Sequence, residues 1–197
     1  MSTISPVASI ACPRCKHDIP ARLEQLLDVG TDPTVKHRFL SGNLNIVECK
    51  LCSFRGMAAT PLVYHDPTKE LLLTYTPVEL NLPLHEKEQI LGALTRSLIS
   101  HIPTKERKGY LLQPKEMMAM DGLINAILEA DGVTAEMIET QRSKTNLLQD
   151  LAAATENDLP NLIEANDEQI DELFFQLLAA LQRKSDEDKN SQMMLAF

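Results

Sequence analysis

The spacing of hydrophobic positions divides the sequence into a strand-like part and a helical part. Over residues 19–29, apolar and polar residues alternate, which predicts a half-buried strand; a short helix over 22–27 is the alternative. Residues 33–41 are predicted as a short helix, because proline directly follows the helix-capping residue Asp32. Residues 43–48 return to a strand pattern.

Two apolar runs within residues 61–76 predict a β-hairpin. The runs are Leu62-Val63-Tyr64 and Leu71-Leu72-Leu73, and Asp66-Pro67 between them suits a type I turn. Each run is apolar at consecutive positions, so both faces of its strand are apolar. We therefore expect other elements to cover both sides of this sheet.

A helical spacing of apolar residues begins near residue 84. It predicts at least four helices, over about 85–101, 114–130, 134–154 and 167–184. The last of these has the clearest apolar stripe, which must pack against another surface. The stripe consists of Ile170, Phe174, Leu177 and Leu181.

Composition and charge narrow the function classes. The 197 residues carry a formal net charge of −9, which opposes sequence-independent binding to a polyanion. Residues 1–60 have seven Lys or Arg against five Asp or Glu, whereas 151–197 have three against ten. No run of about 18 apolar residues and no signal-like N-terminus is present, so we expect a cytoplasmic protein without a membrane anchor.

The cysteines occur as two Cys-x-x-Cys pairs and carry the strongest chemical signal. They are Cys12, Cys15, Cys49 and Cys52. Zinc is held tetrahedrally by four Cys or His ligands, and each pair can supply two thiolates from one tight turn. The pattern predicts one structural zinc ion; another metal, an iron–sulfur cluster and a redox dithiol are the alternatives. Four thiolates leave no position for water, so we do not expect catalysis at this metal.

The first pair, Cys12-Pro13-Arg14-Cys15, resembles the motif of the CpXC-domain family of uncharacterised bacterial and archaeal proteins. Similar sequence continues through Asp28-Val29-Gly30, 40–45 and 61–67, and the resemblance covers roughly residues 10–130. The helical remainder is similar to the C-terminal extension of longer members. The resemblance implies a zinc-ribbon-like module and brings no established activity.

Two departures from the family pattern concern the turns. Lys50 replaces the proline of the second motif, and Lys16 and Ser53 stand where a glycine often follows each cysteine pair. Glycine relieves a left-handed backbone, so its absence is expected to cost stability without removing a ligand.

These observations together predict an α+β protein, in which a zinc-ribbon-like β-rich module precedes a helical region. The predicted divisions are a leader at 1–9, the zinc-binding module at 10–80, the helical region at 84–185 and a flexible tail at 186–197.

Other candidate residues have simpler structural explanations. His65-Asp66 could act as an acid–base pair, but a hairpin turn also favours Asp66 for local hydrogen bonding. The basic segment 105–110, which ends in Tyr110, could bind phosphate and stack a base, although a solvated loop needs such residues anyway. His17 follows the first cysteine pair and is expected on the surface, because four cysteines already complete a site.

We therefore expect a non-catalytic zinc-binding protein that serves as an interaction or scaffold module. Its partner would be an unknown protein, or a second copy bound through the helical region. The alternative is a regulatory nucleic-acid-binding zinc ribbon that uses basic residues around the cysteines, namely Arg14, Lys16, Lys36, Arg38, Lys50 and Arg55. An enzyme with a cleft between the two parts is a third hypothesis, but the sequence identifies no nucleophile or base for it.

Overall fold

A computed structural model describes the backbone of residues 7–155 and 157–194, and the side chains of 9–155 and 157–183. These residues form two compact units, Met1–Gly132 and Val133–Phe197. The first contains strands and helices, and the second is helical. The predicted α+β class is therefore confirmed. In chain order the elements are β1 (Val7–Ala11), β2 (Asp18–Arg22), β3 (Leu26–Asp28), α1 (Thr34–Leu40), β4 (Ile46–Glu48), β5 (Arg55–Met57), β6 (Leu62–Asp66), β7 (Leu71–Tyr75), α2 (Leu84–His101), β8 (Lys115–Met117), α3 (Met120–Ala130), α4 (Ala135–Ala153), α5 (Leu159–Ala165) and α6 (Glu172–Met194).

A four-stranded sheet in the order β3-β6-β7-β8 forms the centre of the first unit. Strands β6 and β7 are the predicted hairpin, and β3 and β8 pair with its outer edges in parallel. One face packs with α1 and α3 around Tyr64, and the other packs with α2 around Val63. Every residue of β6 is buried, which confirms that both faces of the hairpin are covered.

Two smaller antiparallel sheets hold the cysteine pairs at their ends. Strand β1 pairs with β2 and β4 pairs with β5, and each turn between paired strands contains one Cys-x-x-Cys sequence. The two sheets share a small core that includes Cys12, Ile19, Val47 and Cys49. Because a two-stranded hairpin is at best marginally stable by itself, each of these two sheets depends on the shared core for its stability.

The predicted strand over 19–29 is interrupted. Residues 23–25 separate β2 from β3, and these two strands belong to different sheets. The alternative helix over 22–27 is absent from this described segment. Both strands bury alternate residues, so the period-two pattern continues across residues 23–25. The pattern alone therefore could not locate the break between β2 and β3.

The predicted helix over 114–130 is wrong at its start. Residues Lys115–Met117 form β8, and α3 begins only at Met120. Pairing with β7 decides this conformation, since the short charged segment has little strand preference of its own. Helix α5 was not predicted, and α6 begins at Glu172 after a short 3-10 turn.

The second unit consists of α4, α5 and α6 around a small core. Leu147 and Leu148 of α4 pack against Phe174 of α6. The buried Lys144 donates to the carbonyl of Gln169 and forms a 2.8 Å ion pair with Asp171. The hydrogen bond from Lys144 lowers the pKa of Asp171, so the beginning of α6 is fixed to α4 by charge as well as by packing.

Along the chain, the division between the two units falls between Gly132 and Val133, and the predicted change at 80–84 lies inside the first unit. Of the predicted leader 1–9, residues 1–6 lie outside the described residues and 7–9 begin β1. Of the predicted tail 186–197, the backbone continues α6 to Met194, and 195–197 lie outside the described residues. None of the described helices has the length and apolar character needed to cross a membrane.

Candidate metal centre

Each cysteine pair occupies the same kind of tight turn. The amide of Cys12 donates to the carbonyl of His17 at 2.8 Å, and the amide of Lys16 donates back to the carbonyl of Cys12 at 2.9 Å. The second turn repeats this arrangement, with the amide of Ser53 donating to the carbonyl of Cys49 at 2.8 Å. We call these turns the first and second knuckle. The backbone of each knuckle is therefore held by the same pair of hydrogen bonds.

The residue that directly follows each Cys-x-x-Cys pair has a left-handed backbone. The φ angle is +62° at Lys16 and +55° at Ser53. These are the two positions where the family pattern often has glycine, and the left-handed conformation expected there is confirmed. Side chains at such angles carry a steric cost that glycine avoids.

The four cysteine sulfurs converge between the knuckles. The Sγ atoms of Cys12 and Cys52 are 3.6 Å apart, and those of Cys15 and Cys49 are 3.5 Å apart. All four sulfurs lie within 4.8 Å of one another, and none of the cysteines is in a disulfide. All four predicted ligand residues are thus brought together where they could bind one metal ion. His17 is exposed outside this cluster.

The thiols of this cluster differ in acidity. Burial by itself would raise the pKa of Cys12, but hydrogen bonds from the backbone amides of Cys15 and Arg14 lower it to about 6. At Cys15 the backbone amide of His17 lowers the pKa, yet burial and the neighbouring thiols together raise it to about 12. One thiolate therefore opposes ionisation of the next, and a cation among the sulfurs would remove that opposition.

Comparison with known families matches residues 10–142 to the model described as CpXC protein. The chain belongs to the CpXC family. The matched region contains both knuckles, the whole four-stranded sheet and the beginning of α4, whereas α5 and α6 lie beyond it. Searches of curated proteins and of solved structures found no match.

A second polar cluster lies inside the region matched to the CpXC family. His65 of β6 is buried, and its Nδ1 lies 2.7 Å from Oδ1 of Asp28 at the end of β3. Its Nε2 lies 2.8 Å from the hydroxyl of Tyr110. Burial by itself would raise the pKa of Asp28, but the hydrogen bond and charge of His65 hold it below its usual value. The Asp28–His65–Tyr110 chain therefore satisfies a buried imidazole at both nitrogens.

The predicted roles of the residues near this chain are partly correct. Asp66 accepts hydrogen bonds from the amide and hydroxyl of Thr68, so its predicted role in the turn is confirmed. His65 and Asp66 are both in strand β6, and the turn itself is formed by residues 67–70, so the predicted place of His65 in the turn is wrong. In the basic segment, the Tyr110 hydroxyl bonds to His65 and Lys108 pairs with Glu70, so both side chains have partners within the first unit.

Sequence reasoning missed Asp28 and Tyr110 as partners of His65. The parallel register places Asp28 directly beside His65, although the two are far apart in the chain. No local spacing rule links these positions. The signal that was available is weak: both Asp28-Val29-Gly30 and His65-Asp66-Pro67 lie in segments that resemble the family.

Two tyrosine substitutions test the value of this chain. Tyr110→Phe leaves the buried Nε2 of His65 without its partner, and we expect the free energy of unfolding to fall by about 1–3 kcal/mol. Tyr64→Phe is the matched control, because the buried Tyr64 hydroxyl has no hydrogen-bond partner among the described residues. We expect the control to match or exceed wild-type stability. Urea denaturation followed by circular dichroism measures both, and equal losses would contradict the assignment.

Proposed function

We propose that this CpXC protein is a non-catalytic zinc-binding protein that serves as a protein-interaction module. The observation that carries the proposal is the convergence of four cysteine sulfurs from two knuckles. Because the chain supplies all four ligands of such a site, a bound metal would have no coordination position open to substrate or water. Free thiols in paired knuckles suit a reducing compartment, which supports a cytoplasmic location.

The sulfur distances fit a tetrahedral metal site with four thiolates, which is the usual arrangement of structural zinc. Four thiolates about 2.3 Å from a zinc ion lie about 3.8 Å apart at the corners of a tetrahedron. The short distances of 3.5 Å and 3.6 Å between knuckles are close to that spacing. Cys12, Cys15, Cys49 and Cys52 would hold the ion, and the ion would supply the positive charge that four neighbouring thiolates need.

An exposed apolar side chain at the second knuckle supports the interaction role. Leu51 lies between the two cysteines of that knuckle and is 69% exposed. Ile46 and Met57 are paired across β4 and β5, and both are also exposed. A metal-stabilised turn holds this apolar tip without the flexibility of an ordinary loop, which reduces the entropy lost on binding.

Metal content tests the zinc assignment. We expect one zinc per chain after purification without added metal, with thiols that react only after chelation. Cys49→Ser should lower the zinc content strongly, whereas His17→Ala should leave it unchanged, because that exposed imidazole lies outside the sulfur cluster. Elemental analysis and thiol titration measure both. Metal-free protein with four readily titrated thiols would contradict the proposal and favour redox chemistry.

Leu51→Ser tests the interaction role of the knuckle. We expect immobilised zinc-loaded protein to retain a set of cellular proteins that is lost with Leu51→Ser and after chelation. Leu112→Ser is the matched control, because Leu112 is 81% exposed in the same unit but distant in sequence from the cysteines. Mass spectrometry of the retained proteins compares the variants. Identical sets from all samples would count against a role for this tip.

Nucleic-acid binding is the second candidate function. Its support is that Arg14, Lys16 and Lys50 are exposed on the two knuckles that the sulfur cluster brings together. The cluster proposed from sequence is smaller than expected, however. Lys36 forms an ion pair with Asp131. Arg38 forms ion pairs with both Glu24 and Asp32. These two cations of helix α1 therefore already have acidic partners.

Mobility shifts at low salt distinguish this candidate. If the knuckles bind nucleic acid, zinc-loaded protein should shift labelled DNA or RNA, and Lys50→Ala should weaken the shift equally for different sequences. Lys105→Ala is the control, because Lys105 is an exposed cation in a segment remote from the cysteines in sequence. Absence of any shift at low salt would exclude the candidate, since electrostatic binding is strongest there.

A further inference from the structure

The two knuckles carry positive charge around one exposed leucine. Residues 12–17 and 49–54 contain three Lys or Arg and no Asp or Glu, although the whole chain has a net charge of −9. These three cations, all with exposed side chains, are Arg14, Lys16 and Lys50. Leu51 directly follows the last of them and is 69% exposed. We call these four residues the basic tip.

A contact between the knuckles brings the members of the basic tip together. The guanidinium of Arg14 donates to the carbonyl of Cys52 at 3.4 Å, so the arginine of the first knuckle lies at the second knuckle, one residue after Leu51. Among the described residues, no ion pair with a carboxylate involves Arg14, Lys16 or Lys50. These cations can therefore pair with carboxylates of a partner.

The acidic groups around the basic tip do not cancel its charge. The nearest carboxylates along the sequence lie outside the two turns, Asp18 at the start of β2 and Glu48 at the end of β4. Glu48 is opposite Arg55 in the pairing of β4 with β5. Four thiolates exceed the charge of one zinc ion by two, and the three exposed cations outnumber that excess. More distant charges are screened, because the Debye length is about 8 Å at physiological salt.

The basic tip combines an apolar centre with a charged rim, as protein-binding surfaces do. Leu51 is the apolar centre, and Ile46 and Met57 add exposed apolar surface to the same hairpin. A nucleic acid would need only the cations, because its phosphates supply the affinity and a leucine forms no bond to them. The apolar side chains therefore favour a protein partner, and the cations around Leu51 favour an acidic one.

We propose that the basic tip binds an acidic segment of another protein, in which a large apolar residue is flanked by Asp or Glu. The apolar residue packs on Leu51, and the flanking carboxylates pair with the three cations. A second copy of this chain is disfavoured as the occupant. Two basic tips repel each other, and contact between a tip and any other surface of a second copy is heterologous, which extends into an open assembly unless the rotation closes it. The inference rests on the proposed interaction role and adds the chemistry of the partner.

Peptide binding to the full-length, zinc-loaded protein tests the proposal. The probe is a short fluorescent peptide in which two leucines are flanked by glutamates, and fluorescence anisotropy measures its affinity. We expect Lys16→Gln/Lys50→Gln to bind it about fivefold more weakly at low salt, because two exposed charge pairs are lost. Leu51→Ser should bind it about tenfold more weakly, because the apolar contact is lost. Lys50→Gln alone is a second charge variant that leaves the left-handed position of Lys16 unchanged.

Matched controls separate the basic tip from general charge. Lys105→Gln/Lys115→Gln removes two exposed cations of the first unit that are far from the cysteines in sequence, and it should bind the peptide like wild type. A peptide with glutamine in place of every glutamate should bind wild type weakly, and so should a peptide with serine in place of every leucine. Equal binding by wild type and the variants of the basic tip, or by the acidic and glutamine peptides, would overturn the proposal.

Two further measurements identify other occupants. Labelled single-stranded DNA that binds wild type more tightly than the acidic peptide, and binds Leu51→Ser equally well, would show that the tip binds nucleic acid and overturn the proposal. An oligomer in light scattering that dissociates in Lys16→Gln/Lys50→Gln would identify a second copy as the occupant and likewise overturn it.

The outcomes also separate this inference from the proposed function. If the acidic peptide does not bind while Leu51→Ser still loses its retained proteins, the acidic partner is wrong and the interaction role stands. Metal-free protein that binds the peptide through the basic tip would support the acidic partner and contradict only the zinc assignment.

Discussion

The N-terminal part of this protein depends on the contact among the four cysteine thiols, which come from two separate hairpins. Each knuckle ends a two-stranded hairpin that buries too little apolar surface to be stable alone. Cys12 and Cys49 are buried in the core that the hairpins share, so the same side chains that pack this core could also bind a metal ion. A metal ion would link the hairpins and neutralise the thiolates, which is why metal binding and folding are coupled in such modules.

The central sheet supports the knuckles without sharing their chemistry. Its hairpin is buried on both faces, and its edges are extended by β3 and β8 from distant parts of the chain. Asp28, His65 and Tyr110 join β3, β6 and the segment after α2 through two hydrogen bonds. A buried imidazole is costly unless both nitrogens have partners, so this chain fixes one arrangement of the three segments.

The two units differ in the kind of surface they offer. The first is close to neutral and presents the exposed Leu51, with basic neighbours, at the knuckles. The second is strongly acidic and presents leucines along α6. Membership of the CpXC family covers the first unit and only the beginning of the second. The candidate metal centre and the central sheet therefore lie inside the matched region, whereas α5 and α6 lie beyond it.

The sequence by itself determined the α+β class, the central hairpin, most helices and the cysteine cluster, because these depend on local spacing. Two Cys-x-x-Cys pairs identify four candidate ligands by their spacing alone, and a helical stripe such as Phe174, Leu177 and Leu181 of α6 is visible within one segment. Only the tertiary structure decided that Lys115–Met117 is a strand and that Asp28 lies beside His65, since each depends on pairing with a distant strand. Long-range register leaves no local pattern, and contacts of that kind must be seen in three dimensions.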